Sequence, residues 1–440
     1  SSCLISDVFA ARRGTMDLHL VHDSEGLCND GSPPAYYMQR GSPERWLIWL
    51  QGGGSCHNAL KCQNRAKRSP QRTSSNGLKP KLTKGGIFSS DANLNPFFFN
   101  ATKVFVHYCS SDSWTGDRTI ARPDFGGLIF QGQRIISSVL TDLQSRHGLI
   151  STELLVFGGC SAGGRGALFN LDRVCRSLQN VAKICRGFHD APWWVIPPGG
   201  TELENVARQG LVAWNASNLL SDCVADQLPG QEHMCLFAQT LAPYRHTPFM
   251  VQEDLWDWFQ LWSNGIGKQF EVWDQSAWAR AGEFRDTIAG SLLKLPAPNA
   301  AFAAACHVHC AAEDDSFWAM RLSHDVEISL EQGLRQFLQG GGDEKRLHIE
   351  TCSGINCSLN CSEPAWSFDR TIALLCVAVL LVTSLLACCC LLSRRYGGLA
   401  KVRGRYRQWR APGSERVEGR ESLETVPVMQ LSETSSVTRQ

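Results

Sequence analysis

The residues with the clearest capacity for chemistry stand together at Gly159-Cys160-Ser161-Ala162-Gly163-Gly164. Just upstream, Leu154-Leu155-Val156-Phe157 is an apolar run of strand length, and from Gly163 to Leu178 apolar residues recur at helical spacing. A G-x-S-x-G segment between a strand and a helix is the pattern of a nucleophile elbow. A serine in so sharp a turn needs small neighbours, and the turn lifts its hydroxyl clear of a sheet. The following amide, that of Ala162, then lies at the positive end of a helix, where a developing oxyanion can be bound. Ser161 is therefore a candidate nucleophile for acyl transfer. Gly52-Gly53-Gly54 follows the apolar run Trp46-Leu47-Ile48-Trp49-Leu50 and offers a second source of oxyanion donors. Such a serine also needs a histidine base and a carboxylate to orient that base. Downstream stand His189, His233, His246, His307, His309, His324 and His348, with acids that include Asp190, Asp254, Asp257 and Asp274. Periodicity does not choose among them.

These groups need elements to position them. Besides the runs at 46–50 and 154–157, Val104-Phe105-Val106-His107-Tyr108 reads as a buried strand. Between the strands, Ile136, Val139, Leu140 and Leu143 fall on one helical face, as do Leu168, Leu171, Val174 and Cys175. Strands alternating with helices predict an α/β fold, α/β-hydrolase-like, with a largely parallel central sheet flanked by helices. The ectodomain is expected to occupy residues 1–350 as one domain without internal repeats. Residues 351–370, with three cysteines and two glycosylation sequons, are expected to form a Cys-rich stalk.

The 440 residues carry 43 Lys+Arg against 42 Asp+Glu, which argues against a strongly basic nucleic-acid binder. The charge is unevenly spread: residues 393–440 hold ten basic and five acidic residues, so 1–392 has a net charge of −4. Between the two regions, residues 371–392 form 22 consecutive uncharged positions followed by Arg394-Arg395. At ~1.5 Å per residue this predicts a transmembrane helix across a ~30 Å hydrocarbon core. The basic flank puts the 393–440 tail in the cytosol and the large domain on the extracellular or luminal side, a single-pass type I arrangement with the lipid bilayer as partner. The tail itself is expected to be disordered. Of 19 cysteines, 15 lie outside the span, which favours disulfides and an oxidising compartment. Asn100, Asn215, Asn356 and Asn360 head N-x-S/T sequons on the same side. The chain opens Ser1-Ser2-Cys3 with no signal peptide, so a trimmed or partial form is expected.

Several further motifs carry a resemblance. Cys28-Asn29-Asp30-Gly31-Ser32-Pro33-Pro34-Ala35-Tyr36, the stretch from Trp46 to Cys56, Tyr108 to Gly116, Phe130 to Ile135 and Gly159 to Gly164 occur in order between about Leu18 and Cys310. Together they resemble the pectin acetylesterase/Notum family of serine carboxylesterases. The resemblance implies a Ser-His-Asp triad and no cofactor or metal. The family's acid lies in a D-x-x-Q segment after an apolar strand. Phe249-Met250-Val251-Gln252 followed by Asp257-Trp258-Phe259-Gln260 fits, which assigns Asp257 with Asp254 as runner-up. Its histidine lies in a C-x-x-H segment, and Cys306-His307-Val308-His309 assigns His309 with His307 as the decoy. Gly53, Gly54 and Ala162 are then the oxyanion amides, and Asp190, Trp114 and Trp258 are candidates for substrate binding or positioning. Of Trp256, Trp258 and Trp262, at least two are expected to pack into the core. Cys56–Cys62 and Cys223–Cys235 are the expected local bridges, with Cys160 as the candidate unpaired thiol.

The expected activity is removal of O-acetyl groups from a polysaccharide or glycoconjugate. The runner-up is Notum-like removal of a fatty acyl group from a lipidated protein, and a third reading is an inactive binding module. Gly54-Ser55 stands where Notum has aromatic residues, which weakens the lipid reading. The Ser-Ser-Asp-Ser-Trp segment pulls towards it.

Overall fold

The computed structural model describes residues 13–196, 202–267, 273–325, 328–340 and 346–361, all within the first of two compact units, Ser1–Pro364. The expected transmembrane segment 371–392 and the tail 393–440 lie outside the described residues. Among the described residues no helix is long and apolar enough to cross a membrane.

Ten strands form one sheet: β1 (Gly14–Leu20), β2 (Ala35–Gln39), β3 (Ser42–Leu50), β4 (Lys81–Lys84), β5 (Ala101–Val106), β6 (Thr152–Cys160), β7 (Ala182–Asp190), β8 (Phe249–Gln252), β9 (Ala300–Ala303) and β10 (Leu347–Ile349). Their order is β10-β9-β8-β7-β6-β3-β5-β2-β1-β4. Every pairing from β10 to β5 is parallel, and β2, β1 and β4 close the other edge antiparallel. The largely parallel expectation therefore holds through the seven strands that carry the site.

The apolar runs read from the sequence are strands buried on both faces. In β3, Trp46, Ile48 and Leu50 join the core on one side of the sheet, while Leu47 and Trp49 join the core on the other. Leu155 and Phe157 of β6 divide from Leu154 and Val156 in the same way. A strand covered on both faces has no polar side, so its sequence is continuous apolar residues instead of an alternation. On the first face lie α1 (Ala59–Arg68), α2 (Gly132–Arg146), α3 (Ala162–Ser177), α4 (Glu202–Trp214), α5 (Trp258–Ser263) and α6 (Gln275–Leu292), with Ile136, Leu168, Leu211, Leu261 and Phe284 packing inward. On the second, α7 (Leu330–Leu338) packs through Leu330, Leu334 and Leu338.

Seven disulfides join the described cysteines: 28–109, 56–62, 160–310, 175–185, 223–235, 306–361 and 352–357. The two expected local bridges are present. Cys160 is bonded to Cys310, which corrects its reading as the unpaired thiol; Cys3, the remaining cysteine outside the 371–392 stretch, lies outside the described residues. Of the stretch 351–370 expected to form a Cys-rich stalk, the described part, up to 361, is fastened to the body. Cys361 is bonded to Cys306, Leu359 bridges Arg321, and the Ser358 hydroxyl bonds both Ala305 N–H and the Glu350 carboxylate.

Candidate active site

Five neighbouring strands, β3, β6, β7, β8 and β9, run parallel, so their carboxyl ends converge on one edge of the sheet, where open α/β sheets bind ligands. Ser161 sits between β6 and α3 at φ 57°, ψ −123°, a backbone conformation that residues with a Cβ rarely adopt. The turn is pinned on both sides. The Ser161 amide donates to the Asp190 carbonyl at 2.8 Å, and its carbonyl accepts from Arg165 N at 2.9 Å. Gly163 is required because α3 presses onto the end of β3: a Cβ there would lie 1.9 Å from the Leu50 carbonyl oxygen. The small flanks read from the sequence thus have a steric cause.

His309 comes from the irregular segment after β9, and its side chain is 8% exposed. Its Nε2 lies 2.8 Å from Ser161 Oγ, which can donate its proton there, and its Nδ1–H donates to Asp257 Oδ2 at 2.8 Å. Asp257 is the N-cap of α5. Its Oδ1 accepts from the amides of Phe259 and Gln260, which leaves Oδ2 aimed at the imidazole. Gln260 completes the D-x-x-Q pattern by donating to Glu253 Oε1 and accepting from Val195 N–H, tying the β8 exit to the strap after β7. The runner-up residues lie elsewhere. Asp254 is buried and accepts from Gln252 Nε2. The His307 amide donates to Asn356 Oδ1, and its ring stands edge-on to Trp273.

Opposed influences act on His309. Burial disfavours the imidazolium, while the charge and hydrogen bond of Asp257 and the charge of Asp190 favour it, and the balance raises its pKa above the ordinary histidine value. Burial and the nearby Glu313 push Asp190 up to about 7 against the pull of the Ala312 and Ala311 amides that it accepts. Burial also raises Asp254 and Glu253 well above the usual carboxylate range.

The glycine loop meets Ser161 directly, since a Cβ on Gly52 would lie 3.0 Å from the Ser161 Cβ. Among the described residues the amides of Gly53, Gly54 and Ala162 have no protein acceptor. Gly53 (φ 143°) lies under the Arg72 guanidinium, which donates to the Gly52 carbonyl. The neighbouring Arg65 Nε donates to Ser111 Oγ, and Ser111 Oγ donates to the Arg72 carbonyl. These two arginines, which the sequence reading did not single out, brace the loop.

The aromatic and acidic candidates take different places. Trp114 is fully buried and donates from Nε1 to the Gln51 carbonyl, so it supports the glycine loop from behind and cannot touch a substrate. Asp190 is equally buried: its carboxylate accepts from the Ala311 and Ala312 amides at 3.2 and 2.8 Å, anchoring the segment that carries His309. Trp258 is partly exposed with its ring edge-on to His309, centroids 5.6 Å apart. Only Trp256 of its cluster is buried, and Trp262 is half exposed, contrary to the expectation that two would enter the core. Reading the cluster by residue type assigned to packing what the short helix α5 leaves at the surface. Phe259, absent from the sequence candidates, stacks on the His309 ring at 4.9 Å. Its position two residues after Asp257 was the only available signal. Asn100, Asn215, Asn356 and Asn360 are all exposed. Among the described residues one cluster has metal-ligand spacing, Cys160, Asp190 and Cys310. Its sulfurs are bonded to each other and its carboxylate already accepts two amides.

A family model described as Pectinacetylesterase matches residues 9–362. The chain is 31% identical over 312 residues to palmitoleoyl-protein carboxylesterase notum1' of Xenopus laevis, covering 67% of this chain and 62% of that protein. It is 34% identical over 262 residues to palmitoleoyl-protein carboxylesterase NOTUM of Homo sapiens, covering 56% and 51%. It therefore spans less than two thirds of the length of these relatives. The crystal structure of the Wnt deacylase Notum from Drosophila superposes with a TM-score of 0.71 at 26% identity, covering 79% of this chain and all of that one.

Proposed function

The chain belongs to the pectinacetylesterase family, and from that premise we propose that it is a carboxylic ester hydrolase working through Ser161, His309 and Asp257. The observation that carries the reading is the continuous hydrogen-bonded chain from Ser161 Oγ through His309 to Asp257, both links 2.8 Å long. Neutral His309 takes the Ser161 proton at Nε2 as Oγ attacks the ester carbonyl, while Asp257 holds the Nδ1–H tautomer and stabilises the imidazolium. The amides of Gly53, Gly54 and Ala162 receive the oxyanion. Imidazolium then protonates the leaving alcohol. Water, deprotonated by the same imidazole, releases the acyl group from serine.

The substrate reading is an O-acetyl ester on a polysaccharide or glycoconjugate. Support comes from the family model and from Gly54-Ser55, small residues beside the glycine loop. A second reading, removal of a fatty acyl group from a lipidated protein, is favoured by what the Notum relatives are named for and by the partly exposed Trp258 and Phe259 beside His309. Hydrolysis of p-nitrophenyl acetate, octanoate and palmitate by the full chain, beside Ser161→Ala, separates the readings. Serine-dependent turnover falling steeply with chain length supports the acetyl ester; a maximum at medium or long chains supports the second reading. No turnover above the Ser161→Ala control would leave a binding module built on the same fold.

Residues 371–392 are proposed to anchor this domain in a secretory-pathway membrane with glycans at Asn100, Asn215, Asn356 and Asn360. The uncharged 22-residue stretch, the basic flank, the exposed sequons and the seven disulfides support that arrangement. Retention in the membrane pellet after alkaline carbonate extraction, with a mobility shift on deglycosylation, is the expected result; release into the carbonate supernatant would refute the anchor.

A further inference from the structure

The Cys160–Cys310 disulfide joins the residue before Ser161 to the residue after His309. Backbone pairing in the sheet does little to set the distance between these two catalytic candidates. Ser161 leaves β6 and His309 follows β9, and β7 and β8 lie between them. Three inter-strand spacings place β6 and β9 roughly 14 Å apart. The segment from Ala304 to Cys310, which belongs to no helix or strand, must therefore fold back over the ends of two strands to bring an imidazole within 2.8 Å of Ser161 Oγ.

Besides the Ala304 carbonyl, which accepts the Leu255 amide, and the His309–Asp257 hydrogen bond, the ties on that segment fall into two groups. At its start, Ala305 N–H bonds Ser358 Oγ, Cys306 is bonded to Cys361, and the His307 amide bonds Asn356. These fasten it to the 350–361 stretch, away from the nucleophile. At its end, Asp190 accepts the Ala311 and Ala312 amides while its own carbonyl accepts the Ser161 amide, and Cys310 is bonded to Cys160. Within this second group only the disulfide is covalent, and it joins the segment directly to the residue before Ser161. Cys310 itself is at φ 74°, in the left-handed region that a residue with a Cβ occupies when its surroundings hold it there.

We propose that the Cys160–Cys310 disulfide is a positioning element of the reaction, holding Ser161 and His309 in proton-transfer register. Opening it disables catalysis while the body stays folded. The inference rests on the Ser161–His309 reading above. The other six disulfides and both core faces persist without this bond, so its loss acts on the register of two side chains. Cys310 is partly exposed, which gives a small dithiol access. Exchange would leave Cys160 and Cys310 as thiols and the dithiol as its own cyclic disulfide, two electrons and two protons passing to the protein sulfurs.

The test uses the full chain with Cys160→Ala/Cys310→Ala, beside Cys175→Ala/Cys185→Ala, which removes a disulfide remote from the site. The first pair should lower kcat at least ~10²-fold with KM within about threefold, the signature of misplaced reacting groups. The second should leave kcat within about twofold. The Nδ1–H proton resonance of His309, broadened or lost in the first variant and retained in the second, reads the register without turnover. Should the first variant fail to fold, wild-type protein treated with dithiothreitol until alkylation maps free thiols at Cys160 and Cys310, with near-UV dichroism unchanged, makes the same comparison. Kcat and the His309 resonance unchanged with the bond open would overturn the inference. Absence of Ser161-dependent turnover in oxidised wild type would instead overturn the esterase reading, and the resonance would still decide the positioning role.

Discussion

In the proposed role of base His309 must be neutral, and its surroundings favour the proton. Because Asp257 and Asp190 outweigh burial and raise its pKa, kcat/KM should fall as pH drops through an apparent pKa above the ordinary value of about 6.5 and level off on the alkaline side. Asp190→Asn removes one of the two carboxylates that favour imidazolium, so the acidic limb of the profile should move to lower pH; a limb that stays put or rises would contradict this account. Single-residue kinetics separate the proposed triad from its near neighbours. Ser161→Ala and His309→Ala should each reduce kcat/KM for p-nitrophenyl acetate at least ~10³-fold, as expected for losing a triad member. His307→Ala and Asp254→Asn should retain activity within about fivefold, because neither group reaches Ser161 or His309.

At the scale of elements, the glycine loop and the elbow are two turns pressed together by strand order. β3 and β6 are adjacent, so the loop after one necessarily abuts the turn after the other, and Gly52 contacts Ser161 as a result. What holds the loop's amides in place is Arg72, donating to the Gly52 carbonyl while its guanidinium covers Gly53. Arg72→Gln should lower kcat by about tenfold or more with little change in KM, since a loosened loop misplaces donors needed most in the transition state. Steady-state kinetics on a short-chain ester checks it, and a change confined to KM would assign Arg72 to substrate binding. Gly163→Ala meets the Leu50 carbonyl at an impossible distance, so a thermal unfolding scan should show a loss of ~1–3 kcal/mol or more.

At the scale of the molecule, the domain does not end where the last strand does. Residues 351–361 close onto the body through Cys306–Cys361, the Leu359–Arg321 bridge and the Glu350–Ser358 hydrogen bond, and the same closure steadies the start of the His309 segment. A chain ended at residue 350 should lose roughly 2–5 kcal/mol from the missing disulfide alone and lose activity with it, whereas a chain ended at 364 should keep both. Chemical unfolding and ester turnover of the two forms measure the difference. Equal stability would mean that these contacts contribute nothing and the segment is a stalk separate from the body.

The sequence by itself determined the parts whose cause is local. The elbow is legible because the sharp turn excludes side chains at Gly159 and Gly163. The doubly buried strands are legible because a strand covered on both faces must be apolar throughout. Asp257 and His309 were reached through family motifs, since nothing in the spacing of seven downstream histidines distinguishes one that faces Ser161 from one that faces Trp273. Tertiary structure decided what depends on contact between distant segments. Cys160, beside Ser161, is bonded 150 residues away to Cys310, and no sequence rule pairs one thiol among fifteen. Trp114 and Asp190, plausible as substrate contacts by type and position, are sealed behind the site because the stretch after β5 and the end of β7 carry them beneath the glycine loop and the His309 segment. Pairing and burial are set by where the chain returns in space, and those returns follow from the order of strands in the sheet, which the sequence does not print.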